Sequence, residues 1–216
     1  MLDLENSRIL EEIESLSSRK RWQEIREMLL LFEPADTADI LAELPEDRLP
    51  VVYRLLPKEL AAEVFVEMEP EEQEMLIQTF SDTELKEVLD ELYVDDTVDL
   101  IEEMPASVVK RILRHADPET RRSVNEILKY PEDSAGSIMT TEFVDLKRDM
   151  TVSDALKRIR RTGVDKETIN ICYVTDPSRR LLGLVSIRTL LLADQEDAIE
   201  EIMETNVVSA TTMDDK

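Results

Sequence analysis

One cysteine, Cys172, serves the whole chain, so no internal disulfide framework is available and a reducing compartment suits it. It lies in the apolar run Ile171-Cys172-Tyr173-Val174, which reads as a buried, inert thiol. One histidine, His115, excludes a His cluster for zinc and reads as a surface or helix-end residue. Three glycines leave no Gly-rich phosphate loop, and no nucleophile and base stand in a recognisable pattern, so an enzyme is not expected. No apolar run approaches the ~20 residues that cross a bilayer, and the N-terminus has no signal pattern, so the chain as given reads as soluble and cytosolic. Bases are also scarce. The 26 Lys+Arg against 50 Asp+Glu leave a net −24, which argues against nucleic acid or an anionic membrane surface and for a cationic partner.

The charge that is present is unevenly placed. Glu33 to Glu103 holds 23 acids and only Arg48, Arg54, Lys58 and Lys86, a net −19 in about a third of the chain. Such density costs stability unless cations screen it. The same region is punctuated by Pro34, Pro45, Pro57 and Pro70, then by the breaks at Ser81-Asp82 and Val94-Asp95, then by Pro105, Pro118 and Pro131. Steps near twelve residues suit one three-turn helix and a corner. Between corners the apolar spacing is helical, as in Leu60, Ala61, Val64, Phe65 and Met68, and before Pro34 an amphipathic pattern runs from Leu2 to Phe32. Asp36-Thr37-Ala38-Asp39 through Pro45 aligns without gaps to Asp96-Thr97-Val98-Asp99 through Pro105, offset by 60. Short helices that cannot bury their faces alone imply stacking, so residues 1–130 read as an all-helical superhelix.

The pattern changes at Tyr130-Pro131-Glu132-Asp133-Ser134-Ala135-Gly136-Ser137-Ile138-Met139-Thr140. Residues 131–137 read as a hinge, with Pro131 biasing Tyr130 away from helical geometry and Gly136 supplying backbone freedom for a change of direction. Phe143 to Leu146 then reads as a strand. A helix capped by Thr151 follows, ending near Gly163, and after it come two apolar runs, Ile169 to Thr175 and Leu181 to Ile187, around the turn Asp176-Pro177-Ser178-Arg179-Arg180. With a further helix from about Arg188, residues 138–200 form a β-α-β-β-α unit. Residues 201–216 begin a second copy: Ile138 to Val144 corresponds to Ile202 to Val208 at an offset of 64, with four of seven positions identical. The second copy is expected to be truncated. The fold class is therefore α plus α/β.

A β-α-β-β-α unit that opens with Ile138-Met139-Thr140 and contains Tyr173-Val174-Thr175-Asp176 and Gly183-Leu184-Val185-Ser186 resembles the CBS domain. With the acidic helical array before it, the hinge motif and Asp95-Asp96-Thr97-Val98-Asp99-Leu100-Ile101-Glu102-Glu103-Met104-Pro105, nearly the whole chain resembles the cytosolic part of the MgtE family of magnesium channels and transporters. The resemblance implies a homodimer on the cytoplasmic face of the membrane, joined to a transmembrane pore domain. Its regulatory Mg²⁺ would bind between the helical and CBS domains and hold the pore closed. Mg²⁺ takes oxygen ligands and keeps several waters, so one or two carboxylates from each surface suffice. The candidate ligands are Asp95, Asp96 and Asp99 on the helical side and Glu132, Asp133 and the Gly136 carbonyl at the hinge. Helix capping is the competing reading of Asp96, and a dipole-favoured first-turn acid that of Asp99; Asp95 is expected just outside the helix. Glu102 and Glu103 read as a solvated face. CBS pairs also often bind ATP or AMP, with a ribose-contacting Ser/Thr and, three residues on, an acid. Here the match is Ser186-Ile187-Arg188-Thr189, so Ser186 and Thr189 are the nucleotide candidates, although Thr189 cannot accept two hydroxyls as a carboxylate does. The alternatives are a nucleotide-responsive CBS module and a helical-repeat scaffold for a protein partner.

Overall fold

The computed structural model describes residues 2–164 and 166–216, with side chains from residue 8 onward; Leu2, the first apolar position of the N-terminal pattern, has its side chain outside that set. Ten helices come first: α1 (Leu2–Ser18), α2 (Trp22–Leu29), α3 (Pro34–Ala42), α4 (Leu49–Tyr53), α5 (Lys58–Val66), α6 (Pro70–Thr79), α7 (Asp82–Leu89), α8 (Val94–Glu103), α9 (Ala106–His115) and α10 (Pro118–Ile127). Proline sets their starts. It occupies the first helical position of α3, α6 and α10, where the missing N–H has no partner to lose. Where proline is absent a side chain takes over. Ser81 Oγ accepts the Glu84 N–H at 3.2 Å and Glu84 Oε2 accepts the Ser81 N–H at 2.7 Å, a reciprocal cap for α7. Arg54 Nε donates to Glu84 at 2.6 Å, and that bond, with the cap, holds the Glu84 carboxyl down to about 2.

The chain divides into two compact units, the first comprising residues 1–92 and 96–122 and the second residues 93–95 and 123–216. Within the first, α3 packs on α5, α5 on α7 and α7 on α9, each helix presenting one apolar stripe to the next but one. Phe65, Ile40, Leu41, Leu76, Ile77 and Leu85 are fully buried there, each contributing roughly 1.5–3 kcal/mol of transfer free energy. Trp22 is half-buried at the start of α2, less a core anchor than Ile25 and Leu29 beside it. The C-terminal end of α6 is closed by side chains. Arg111 donates to the carbonyls of Ile77 and Phe80, and Arg54 Nη2 to that of Thr79 at 3.1 Å. The repeat read from the sequence is a repeat in structure too: α3 and α8 begin at equivalent residues, and Thr37 and Thr97 are both wholly buried.

The second unit carries a three-stranded sheet of β1 (Phe143–Lys147), β2 (Thr168–Thr175) and β3 (Leu181–Ser186), in that order. β1 and β2 are parallel, and β2 and β3 antiparallel. The parallel pair needs a crossover, supplied by α11 (Val152–Thr162), whose N-cap Thr151 accepts the Asp154 N–H at 3.2 Å. The antiparallel pair turns tightly, with Arg179 at φ 63 and Asp176 Oδ1 accepting the Arg180 N–H at 2.8 Å. α12 (Ile187–Leu192) and α13 (Ile199–Ile202) follow, and Val144, Leu146, Ala155, Cys172, Val174 and Leu190 pack the core. Beyond α13 the chain crosses β3, where Leu184 and Glu204 exchange both backbone hydrogen bonds at 2.9 and 2.8 Å. Among the described residues no helix is long and apolar enough to cross a membrane.

Candidate functional site

The acids at the start of α8 are placed by the helix itself. α8 begins at Val94, so Asp95, expected just outside the helix, lies in its first turn. Asp96 is not the N-cap either but the third helical residue, the position Asp36 holds in α3. The reason is the repeat: the start that Pro34 imposes on α3 is reproduced at Val94 without a proline. Both acids are left where the helix dipole favours negative charge. Within the second unit the Glu142 carboxylate accepts the Val94 N–H at 2.8 Å, capping α8 from outside. Burial pushes the Glu142 carboxyl above the usual range, and the charges of Asp95 and Glu167 add to this against the Val94 bond and Lys166. Sequence reasoning missed Glu142, because its partner is 48 residues away and no local motif links them.

Asp96 and Asp99 share a cavity of about 320 Å³ in the first unit with Glu67, Glu69, Glu103 and the buried Gln73. Glu103, read as solvated, is exposed at its edge. Among the described residues no three Asp, Glu, His or Cys side chains stand close enough to hold a metal ion directly. The oxygen donors suit a hydrated hard cation, which needs few direct ligands, and not a soft metal.

The hinge is knitted, not loose. Ser134 Oγ donates to Pro131 O at 2.7 Å, and Ser137 Oγ to Glu132 O at 2.7 Å and Ser134 O at 2.9 Å. Residues 133–136 pair with the C-terminal segment: Ala135 N donates to Asp214 O at 2.8 Å, Gly136 N to Thr212 O at 3.0 Å and Lys216 N to Asp133 O at 3.0 Å. The Glu132 and Asp133 side chains remain exposed. Gly136 has no positive φ, so backbone freedom is not why glycine stands there. Space is: a Cβ would lie 2.6 Å from Tyr130 Cγ and 2.7 Å from Thr212 O. The structure thus brings Asp96 and Asp99 to one cavity, and Glu132, Asp133 and Gly136 to one turn.

Ser186, a nucleotide candidate, is the N-cap of α12. Its Oγ accepts the Thr189 N–H at 3.0 Å and shares a 2.8 Å hydrogen bond with Thr189 Oγ1, so the two candidates satisfy each other. His115 ends α9, mostly buried, with Nε2 3.4 Å from Asp82 Oδ1. Cys172 is fully buried, and burial pushes its thiol up to about 11.

Residues 32–133 match the model of the MgtE intracellular N domain, and residues 135–196 that of the CBS domain. The magnesium transporter MgtE of Thermus thermophilus is 38% identical over 196 residues, 89% of this chain and 43% of its own length. That of Bacillus subtilis is 28% identical over 194 residues, again 43% of its length. A crystal structure of the cytosolic domain of the Mg²⁺ channel MgtE, in complex with ATP, superposes with a TM-score of 0.87 at 36% identity over 95% of this chain and 84% of the other. This chain belongs to the MgtE family. The soluble part of another magnesium transporter gives a TM-score of 0.85 at 26% identity, over 97% of this chain and 83% of that one. Both MgtE elements expected from the hinge and α8 motifs are therefore present, the helical N domain and the CBS unit. The chain spans less than half the length of the two full-length MgtE relatives.

Proposed function

We propose that this chain is the cytosolic Mg²⁺-sensing region of a magnesium channel or transporter. Residues 1–130 are the acidic sensor, residues 131–137 the hinge, residues 138–200 the first CBS unit and residues 201–216 the start of a second. The observation that carries the reading is the net −19 between Glu33 and Glu103, confined to one kind of domain in a chain of this family. Carboxylates at that density repel one another, and a divalent cation offsets the repulsion more strongly than monovalent salt. Cations bound between the helical domain and the CBS domain therefore favour a compact state, and the compact state closes the pore. Reciprocity requires that compaction raise cation affinity by the same factor. Asp95, Asp96 and Asp99 supply the helical side, and Glu132, Asp133 and the Gly136 carbonyl the hinge side. Self-association into a homodimer and attachment to a membrane pore domain belong to the same reading, which contains no catalytic step.

Titrating the chain with Mg²⁺ while recording the radius of gyration and the rate of limited proteolysis tests it. A smaller radius and slower cleavage at millimolar Mg²⁺, with K⁺ at matched ionic strength inactive, are expected. Equal responses to the two ions, or none, would sink the proposal.

A second reading, nucleotide binding at the CBS unit, is favoured by the relative crystallised with ATP. In this chain it requires Ser186 and Thr189 to exchange their mutual hydrogen bonds for a ribose, so weak ATP binding is expected. Calorimetry with ATP reads it directly, and absence of heat at millimolar ATP would remove it.

A further inference from the structure

Helix α9 has two apolar stripes. Val108 and Ile112 are buried against the core, and Arg111 on the same side is held by the Ile77 and Phe80 carbonyls. Ala106, Val109 and Leu113, three and four residues apart, form the second stripe, and with Lys110, Arg114 and Met104 they line a shallow open groove. That stripe is accessible, with Ala106 exposed and Val109 and Leu113 half-buried. In the series α3, α5, α7, α9 the two middle helices each pack between two others, whereas α9 is the last member. The last element of a stacked array ordinarily turns a polar face outward. Here the outward face is apolar and basic: residues 104–122 hold five Lys or Arg and two acids, a net +3 directly after the net −19. Lys110 and Arg114 are exposed and enter no ion pair among the described residues. The other end of the series carries the complement. Leu30 and Leu31, in the corner between α2 and α3, are 47% and 82% exposed, and Leu31 is the most exposed large apolar side chain of the helical unit among the described residues. The corner is held by backbone hydrogen bonds from Leu30 N to Arg26 O and Leu31 N to Met28 O, both 3.1 Å, so this knob needs no ordering on contact. Glu27 and Glu33 flank it, exposed and without ion pairs among the described residues.

We propose that the α2–α3 knob of one chain docks into the α9 groove of a second copy, head to tail. Leu30 and Leu31 lie against Val109 and Leu113, removing from water apolar surface that each chain alone leaves wet. Glu27 and Glu33 come to face Lys110 and Arg114. Groove against groove would set Lys110 and Arg114 against their own copies, and knob against knob would oppose glutamates, so like patches repel and unlike patches fit. The contact is heterologous: a chain bound through its knob still offers its groove, so one chain can engage two others. The proposal is independent of the Mg²⁺ reading, because neither patch contains a candidate ligand and the contact lies between chains and not within one.

Sedimentation velocity of the full chain at about 0.15 M salt, where repulsion between two chains of net −24 is screened beyond roughly 8 Å, tests it. A patch of this size binds weakly, so the mean mass should rise with a dissociation constant of about 0.1 mM. Leu31→Asp, and separately Lys110→Glu with Arg114→Glu, alter only exposed residues and should each weaken self-association by about tenfold or more. Arg160→Glu with Arg161→Glu, the same charge change on exposed positions of α11, should leave it within about twofold. Mixing the two deficient variants should restore association, because the intact groove of one meets the intact knob of the other. A dimer formed through another surface would persist in every variant and raise the baseline without altering these contrasts. A mean mass that stays constant up to about 1 mM chain would overturn the proposal, as would self-association unchanged in both deficient variants or a mixture that fails to associate. Equal weakening by the α11 pair would make net charge the cause and overturn it too. Binding to anionic phospholipid vesicles that is lost with the Lys110 and Arg114 changes, while the mixture stays unassociated, would assign the groove to a membrane surface instead. Loss of self-association would leave a Mg²⁺-driven change in the radius of a single chain untouched, so the two proposals fail separately.

Discussion

Gly136→Ala is expected to destabilise the CBS-containing unit by about 2 kcal/mol, lowering its thermal midpoint by roughly 10 °C in calorimetry. The added Cβ would lie 2.6 and 2.7 Å from Cγ and Cδ1 of the Tyr130 ring and 2.7 Å from Thr212 O. Two of those neighbours belong to a ring that can turn only by leaving its packing. The third is a backbone carbonyl already bonded to Gly136 N at 3.0 Å, so retreat lengthens a hydrogen bond of the hinge. Tyr130→Ala made together with Gly136→Ala should cost less than the two changes separately, because one removes what the other collides with. Strict additivity would mean that the Tyr130 contact is not what makes alanine costly. Replacing Gly136 by serine should be at least as damaging as by alanine.

The hinge illustrates how sequence and structure divide the work. Its position was legible, because proline and glycine between two regions of different periodicity mark a change of element. The reason for its glycine was not. Local reasoning expects glycine to supply φ > 0, whereas here it leaves room for a chain segment some 76 residues downstream. The helix starts in the first half were legible for the opposite reason: proline at a first helical position acts on its own residue and needs no partner. The Ser81 to Glu84 cap was equally local, a serine with a glutamate three residues on, and marks the break expected there.

The candidate site was legible as composition and less so as geometry. The repeat at an offset of 60 predicted that α3 and α8 would be alike, and it extends to the buried Thr37 and Thr97. It also carried the information that placed Asp95 inside the helix, since Pro34, one residue before the counterpart of Asp95, is a first-position residue. What no pattern gave was the meeting of Glu67, Glu69 and Gln73 with Asp96 and Asp99. They come together only because the fold lays the loop between α5 and α6 and the first turn of α6 beside α8, roughly 23 to 32 positions on in the chain. Glu142 escaped for the same reason.

The repeat also supplies an internal control for the Mg²⁺ proposal. Asp96→Asn with Asp99→Asn is expected to move the Mg²⁺ concentration needed for compaction upward by about tenfold or more, since each lost carboxylate removes a charge-assisted ligand or an anchor for its waters. Asp36→Asn with Asp39→Asn makes the same charge change at the same positions of the equivalent helix, α3. Its effect through the helix dipole is matched at about 0.3–1 kcal/mol for Asp36 and Asp96, the first-turn acids of the two pairs, whereas Asp39 and Asp99 lie a turn further on, where the dipole acts little. Only the α8 pair should shift the Mg²⁺ response. Asp95 has no acidic counterpart, as Ala35 occupies its place in α3, and Asp95→Ala should give about half the α8 effect on a logarithmic scale. If the α3 and α8 pairs raise the midpoint equally, the sensor responds to total charge and the assignment of Asp96 and Asp99 as ligands falls, while screening of the net −19 stands as its mechanism.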